Sequence, residues 1–456
     1  MRGPRSLVVL LLIALGLGAY AYFVESKRDL TDPETRKTRV FTIEPGKIEE
    51  IEIHPVAGDA TVLKKDGDTW RITAPVNGSA DQTVASTLAS TLETLDVEKP
   101  LEDNPPALTP FGLEPARFSV TFKVAGDGTP HRLDVGNKTA TGSDLYARIQ
   151  GQPKLFLIAG YNEDTFNRTT FDLRDKTALK FSRDEADSIR LEAPGTSPVA
   201  LARKNGDWRL TAPVDAAADV VGVDNILNRA SQAQMKTLVT GDAAPPTDAQ
   251  LKTFGLDKPQ LLATFGAGAN RATLAIGGKK DDATLYARDV AKPEVFTVEA
   301  SLLTDLKKAS GDFRVKDVFA FKSFTAETLE ITRDGKTTAF AKSKAPGTDT
   351  TVPDVWKETK PEAKDVNQTA ITDLLNTLSS IRAEKFIDKA PTSGEEVIVA
   401  ARSVGGTSSS IDERVTFRKV GSEIHAIKPN EPGAAVVPTA DFEKALTQLG
   451  AVTSAK

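Results

Sequence analysis

The residues able to do chemistry in this 456-residue chain are thinly spread. Its three histidines, His54, His131 and His425, lie far apart, and none stands at a metal-motif spacing from another ligand type. No cysteine is present, which removes thiolate nucleophiles, disulfide exchange and cysteine-ligated metals together. Serines are plentiful, yet there is no Gly-x-Ser-x-Gly elbow, no Ser-x-x-Lys and no Walker string. Gly266 to Asn270 and Gly277-Gly278-Lys279 resemble nucleotide loops only out of context, because each sits between short strand-like runs where hairpin turns are the default. With 63 acidic residues, carboxylate pairs arise by chance, so glycoside hydrolysis is open but unsupported. No catalytic, cofactor-binding or metal-ligating residue is predicted, and no cofactor.

The polar residues that stand out are Tyr146 with Arg148 and Tyr286 with Arg288. A spacing of two puts each pair on one strand face, with Leu and Ala on the other. Tyr and Arg are enriched in protein interfaces, which makes these four a candidate interaction surface. The structural alternative has Tyr covering a domain edge and Arg pairing with a local acid; recurrence in two modules suits it better than a single site.

These residues must be positioned by a repeating body. Trp208 to Val214 reads WRLTAPV and Trp70 to Val76 reads WRITAPV. In an extended strand Trp208 and Leu210 share one face and Arg209 and Thr211 the other, so the Trp is read as a core anchor. Pro75 and Pro213 should end these strands, and Asp81 and Asp219 should cap the helices that follow. Val84, Leu88, Leu92 and Leu95 make one apolar helix face, as do Ile226, Leu227 and Ala230. Leu108 to Pro115 (LTPFGLEP) and Leu251 to Pro259 (LKTFGLDKP) read as short helices stopped by left-handed Gly112 and Gly255. Strand-like runs at Phe118–Val124, 132–135, 145–149 and 155–158, and at 261–265, 272–276, 285–288 and 295–298, predict antiparallel meanders. The separations agree: 138 residues between the two Trp, 143 between the two FGL glycines, 140 between the two Tyr.

A third, eroded copy begins near Val318, with Phe324, Leu329 and Ile331 replaying the opening and Trp356 falling 148 residues after Trp208. Ile371, Leu374, Leu375, Leu378 and Ile381 give its helix, strands follow at 397–401, 415–418, 424–427 and 436–437, and Phe442, Leu446 and Leu449 suit a closing helix. His425 takes the place of Tyr146 and Tyr286. Glu358 replaces the Ile or Leu two after the Trp, so Trp356 is expected to be less buried than its counterparts; no FGL string survives, and 345–353 is an insertion.

At 39% hydrophobic and 27% charged the chain is ordinary globular material of about three domains. The net charge of −5, with no dense Lys/Arg cluster, argues against nucleic acid as a partner. Residues 7–24 carry no charge, follow Arg2 and Arg5, and are long enough to span a bilayer, the basic end inside. Ala19-Tyr20-Ala21 would suit a signal-peptidase site, but the apolar run continues past it, which favours a retained anchor. The expected organisation is α+β: an N-terminal transmembrane helix (1–24), a linker (25–38) and three similar modules (39–175, 176–315, 316–456), each a mainly antiparallel sheet with packed helices. The localisation that follows is a single pass through the bacterial inner membrane, N-terminus inside and body outside.

The Trp-to-Pro strands, the FGL-acidic-x-Pro strings, Leu145 to Arg148 (LYAR) with Leu285 to Arg288 (LYAR), and Phe171 to Asp175 (FDLRD) with Phe313 to Asp317 (FRVKD) together resemble the bacterial domain of unknown function 4340. The resemblance covers the first two modules well and the third weakly. It implies a single-anchor exported protein associated with gliding-type ABC transporter permeases and auxiliary subunits, and brings no activity or catalytic residue. The leading expectation is a non-enzymatic, membrane-anchored scaffold or adaptor, accessory to an ABC-type transporter. The competing readings are an envelope hydrolase or carbohydrate-processing enzyme with a site between modules, and a glycan- or lipid-binding module.

Overall fold

The computed structural model describes residues 38–103, 105–240, 245–343, 354–404 and 410–454. The apolar run 7–24 and the insertion 345–353 lie outside them. No helix among the described residues is long and apolar enough to cross a membrane.

The first module's sheet has nine strands: Ile48–His54 (β1), Thr61–Asp66 (β2), Thr69–Ala74 (β3), Gly78–Ser79 (β4), Lys99–Asp103 (β5), Phe118–Val124 (β6), His131–Lys138 (β7), Asp144–Ile149 (β8) and Lys154–Ala159 (β9). Their order across the sheet is β4-β3-β2-β1-β6-β7-β8-β9-β5, and every neighbouring pair is antiparallel. Strands from Ser188 to Glu299 and from Ala326 to Val437 build two further nine-stranded sheets with this same order. The chain divides into two compact units after Lys176; the first holds one nine-stranded sheet and a two-stranded sheet of Thr38–Arg39 with Asp96–Val97, and the second holds two nine-stranded sheets.

The period-2 pattern places the core as expected. Trp70 and Ile72 are buried while Arg71 is exposed, and Trp208 and Leu210 are buried in the second sheet. Both strands end at the alanine before the proline. The helices Gln82–Thr94 and Val220–Ser231 start at Asp81 and Asp219, whose carboxylates accept from the first free backbone N–H groups. Such a cap contributes about 1 kcal/mol. Leu88 and Leu92, and Ile226 and Leu227, then lie under the sheet.

The third module departs from expectation in two places. Trp356 is as buried as Trp208, at 5% exposure each, because Glu358 is itself only 2% exposed, with Lys364 Nζ 3.1 Å from its carboxylate. An acidic residue in a core register therefore does not report exposure when a lysine from the neighbouring strand, Lys364–Asp365, reaches it. Phe324 does not belong to the opening strand. That strand, Ala326–Arg333, buries Ala326, Leu329 and Ile331, and Phe324 stands 78% exposed ahead of it.

The third copy is also more faithful than its sequence suggests. Pro361 follows Trp356 by five residues, as Pro75 and Pro213 follow theirs, and all three X-Pro bonds are cis. Asn367, eleven after the Trp, caps the helix Gln368–Ser380 as Asp81 and Asp219 do in the other copies. Ile381 ends that helix as its buried C-cap. The closing helix Thr439–Ser454 buries Phe442, Ala445 and Val452 and packs on Gln368–Ser380.

Candidate interaction surface

The strand Asp144–Ile149 turns Leu145 and Ala147 fully into the core, so Tyr146 and Arg148 lie on the opposite face, half-buried. Thr284–Asp289 treats Leu285, Ala287, Tyr286 and Arg288 in the same way. Each Tyr has an aromatic partner from the FGL turn of its own module: Phe111 with ring centroids 5.0 Å from Tyr146, and Phe254 4.6 Å from Tyr286.

That turn is set by glycine twice. Gly112 and Gly255 take φ of +70° and +65°, which reverses the chain at little steric cost. The turn then presses on the neighbouring strand at Gly136 or Gly277, where a Cβ would stand 2.1 Å from Phe111 O or 2.4 Å from Phe254 O. Turn, strand glycine and tyrosine make one tile on the sheet face away from the helix. The third module lacks this tile. Arg418 stands where the strand glycine would be and reaches the Glu396 carboxylate and Pro391 O, while His425 replaces the tyrosine and is 6% exposed.

The arginines are engaged locally. Arg148 Nε donates to Asp134 at 3.2 Å, and Arg132 Nε donates to the same buried carboxylate at 2.8 Å. Arg288 donates to the carbonyls of Val290 and Lys292. Each Tyr-Arg pair is thus tied to its own sheet by contacts that also leave part of both side chains accessible.

Sequence reasoning missed a clamp behind the Trp strands. Gln82 Oε1 accepts from Trp70 N at 2.7 Å while its Nε2 donates to Trp70 O and Ala80 O, both at 2.9 Å. Gln368 does the same for Trp356 and Val366. The signal was a Gln twelve residues after Trp70 and after Trp356; the second module has Val220 at that position, 54% exposed.

Between the second and third modules, within one compact unit, lies a cavity of about 20 Å³, enough for roughly one water. Arg314, Phe386, Lys428 and Glu431 are among its lining residues. Its acids are engaged: Glu431 by Arg314 at 3.2 Å and Lys428 at 3.4 Å, and Asp317 by Arg382 at 3.2 Å.

Among the described residues no group of three or more His, Asp or Glu side chains could hold a metal ion. The carboxylates whose titration is displaced, Glu163 and Glu299 among them, all move below their usual range. For Glu163, burial pushes the carboxyl up, but hydrogen bonds from Lys138 and Arg117 outweigh it and the net shift is downward. A lowered folded-state pKa stabilises above the unfolded value, near 4.5, and the contribution is lost as pH falls through the folded value. In acid titrations monitored by circular dichroism, the Glu163→Gln protein is expected to lose less stability below pH 4.5 than its parent. Equal slopes would assign no such role to this carboxylate.

A profile of the family described as "Domain of unknown function (DUF4340)" matches residues 70–207 and 208–396, two consecutive segments that cover most of the chain. The chain belongs to this family. Each DUF4340 match opens at the tryptophan, Trp70 or Trp208, so the period legible in sequence starts inside the sheet, three strands into the structural module. The second DUF4340 match runs through the Trp356 strand and ends in the Glu395–Val404 strand, so the divergent third copy shares family sequence. No curated protein matches the chain significantly.

Proposed function

We propose that this protein is a membrane-anchored extracytoplasmic scaffold or adaptor, an accessory component of an ABC-type transporter complex, held in the bacterial inner membrane by residues 7–24 with its body outside. The observation that carries this reading is the threefold recurrence of one nine-stranded sheet whose prominent polar side chains are spent on local pairs. Catalysis needs a single asymmetric constellation with groups left free to react, and an acid kept protonated near neutral pH would show a raised pKa. Displacements in the opposite direction, and a junction cavity of water size, weigh against the hydrolase reading. Repeated modules, in contrast, supply extended surface for partners.

Affinity purification of the full chain in mild detergent should recover transporter permease or auxiliary subunits; recovery of the protein alone under all mild conditions would refute the adaptor role. A reporter fused after Lys456 should be active only outside the cytoplasm, and a mature amino terminus at Tyr22 would replace the anchor with a cleaved signal.

The glycan- or lipid-binding reading has one observation in its favour. Exposed Phe324 and Val404 border an open depression of about 730 Å³ on the third module, with Lys342 and Arg402 at its margin. Phe324→Ala would abolish sedimentation with vesicles or retention on glycan arrays under that reading, and would leave transporter copurification intact.

A further inference from the structure

Between the second and third modules, inside one compact unit, a single residue belongs to both. The backbone of Arg314 is paired within the second module, where it forms an antiparallel bridge with Ala218. Beside it, Phe313 O accepts from Asp219 N at 2.7 Å, and Ala218 N donates to Trp208 O at 3.2 Å. Asp219 caps the helix Val220–Ser231, and Phe313 is buried against Gly222 of that helix. This stretch of backbone is therefore tied to the Trp208 strand and to the helix start at once. The same backbone arrangement recurs in the first module, where the buried Arg174 bridges Ala80 and Leu173 O accepts from Asp81 N at 2.9 Å. The repeat itself thus sets where residue 314 emerges.

The side chain of Arg314 is engaged by the third module. It is 4% exposed, its Nη2 donates to the Glu431 carboxylate and to Pro432 O, both at 3.2 Å, and its guanidinium lies 4.0 Å from the centroid of Phe386 on the edge strand Lys385–Ile387. The residues that follow bind the same module: Ala383 N donates to Lys316 O at 2.7 Å, Val318 N to Ile381 O at 3.1 Å and Lys428 Nζ to Asp317 O at 3.2 Å. Among these ties the guanidinium is the hardest to replace. Its fork meets a carboxylate and a carbonyl while its face covers an aromatic ring, a combination that a lysine lacks.

We propose that Arg314 couples the stabilities of the two modules, so that an opening of the third is transmitted to the Trp208 strand and helix cap of the second. The physical reason is that ties to both sides meet in one residue. Opening the Glu431-Pro432 turn releases the guanidinium, and with it the Phe313-Arg314 backbone against which Asp219 N is bonded. Without that side chain the remaining ties to the third module lie at residues 316–318, beyond the backbone paired with the second, and each module opens alone. A partner held on the third module would then protect the second as well, because anything that binds only the closed form stabilises every part that opens with it.

Native-state hydrogen exchange on the full-length protein tests the coupling, read across 223–227 in the second-module helix and across 415–417 in the third-module sheet. Val399→Ala, in the core of the third module, supplies the perturbation. In the parent it is expected to speed exchange at both places by a similar factor, roughly tenfold. In the Arg314→Met background the factor across 415–417 should persist and that across 223–227 should fall to about one. Arg314→Lys, which keeps the charge without the fork, should fall between. Glu431→Gln, which keeps an acceptor without the charge, is the milder variant should Arg314→Met not fold, and it too should weaken transmission to the helix. Transmission that is absent from the parent would overturn the coupling. So would transmission that survives undiminished in Arg314→Met or, where that protein does not fold, in Glu431→Gln.

Discussion

Replacing Trp70, Trp208 or Trp356 by alanine is expected to cost its module about 3–5 kcal/mol, the range of large aromatic deletions in cores. All three side chains are at most 5% exposed, so the three losses should be similar. The surroundings differ in ways that affect the spread. Trp70 and Trp356 have their backbone gripped by Gln82 and Gln368, which hold the strand while the cavity forms. Trp208 has Val220 at that position, and its indole Nε1 is buried without a hydrogen-bond partner, so part of its burial gain is already offset. Trp208→Ala should therefore fall at the lower end of the range. Since each module holds a single tryptophan, its replacement also removes that module's fluorescence probe, so hydrogen exchange across each module's strands as a function of denaturant follows the losses instead. A Trp208→Ala protein whose second module melts at the parental midpoint would show that this strand is not a core element.

The second large effect is expected at Glu358, which occupies the core register of Ile72 and Leu210. A buried carboxylate is tolerable only while it is paired, and its partner Lys364 is 46% exposed on its side chain. Lys364→Met should leave the charge uncompensated and cost about 1–3 kcal/mol, below the usual value for a broken buried pair because water reaches the lysine. Glu358→Leu removes the charge and restores the residue type of the other modules, so it should be neutral or stabilising by about 1–2 kcal/mol. The double variant Glu358→Leu/Lys364→Met should lie close to the single Glu358→Leu, since the lysine then has no buried charge to meet. Equilibrium unfolding of the three variants checks this, and a Glu358→Leu protein several kcal/mol less stable than its parent would show that the carboxylate is needed for more than its pairing.

What the sequence by itself determined is what depends on short-range chemistry. Alternation along WRLTAPV put Trp208 and Leu210 on one face because successive side chains in a strand must point to opposite sides. Asp81 and Asp219 were recognisable as caps, and Gly112 and Gly255 as left-handed stops, because each satisfies a need of the adjacent turn. The family, too, was legible, since repeated strings carry their own internal comparison.

What only the tertiary structure decided depends on partners distant in the chain. The burial of Glu358 turns on a lysine from the next strand, which no local pattern announces. The pairing of Tyr146 with Phe111 requires the FGL turn to lie on a strand glycine some 24 residues later, and the strand order β9-β5 at the sheet edge joins segments about 50 residues apart. The candidate residues Tyr146, Arg148, Tyr286 and Arg288 were found as a strand-face pattern, but their neighbours were set by the fold, as Asp134 was for Arg148. Arg314 illustrates the limit best. Its string was visible in FRVKD, yet the Glu431 and Pro432 that receive it lie more than a hundred residues on, and only the packing of one module against the next brings them together.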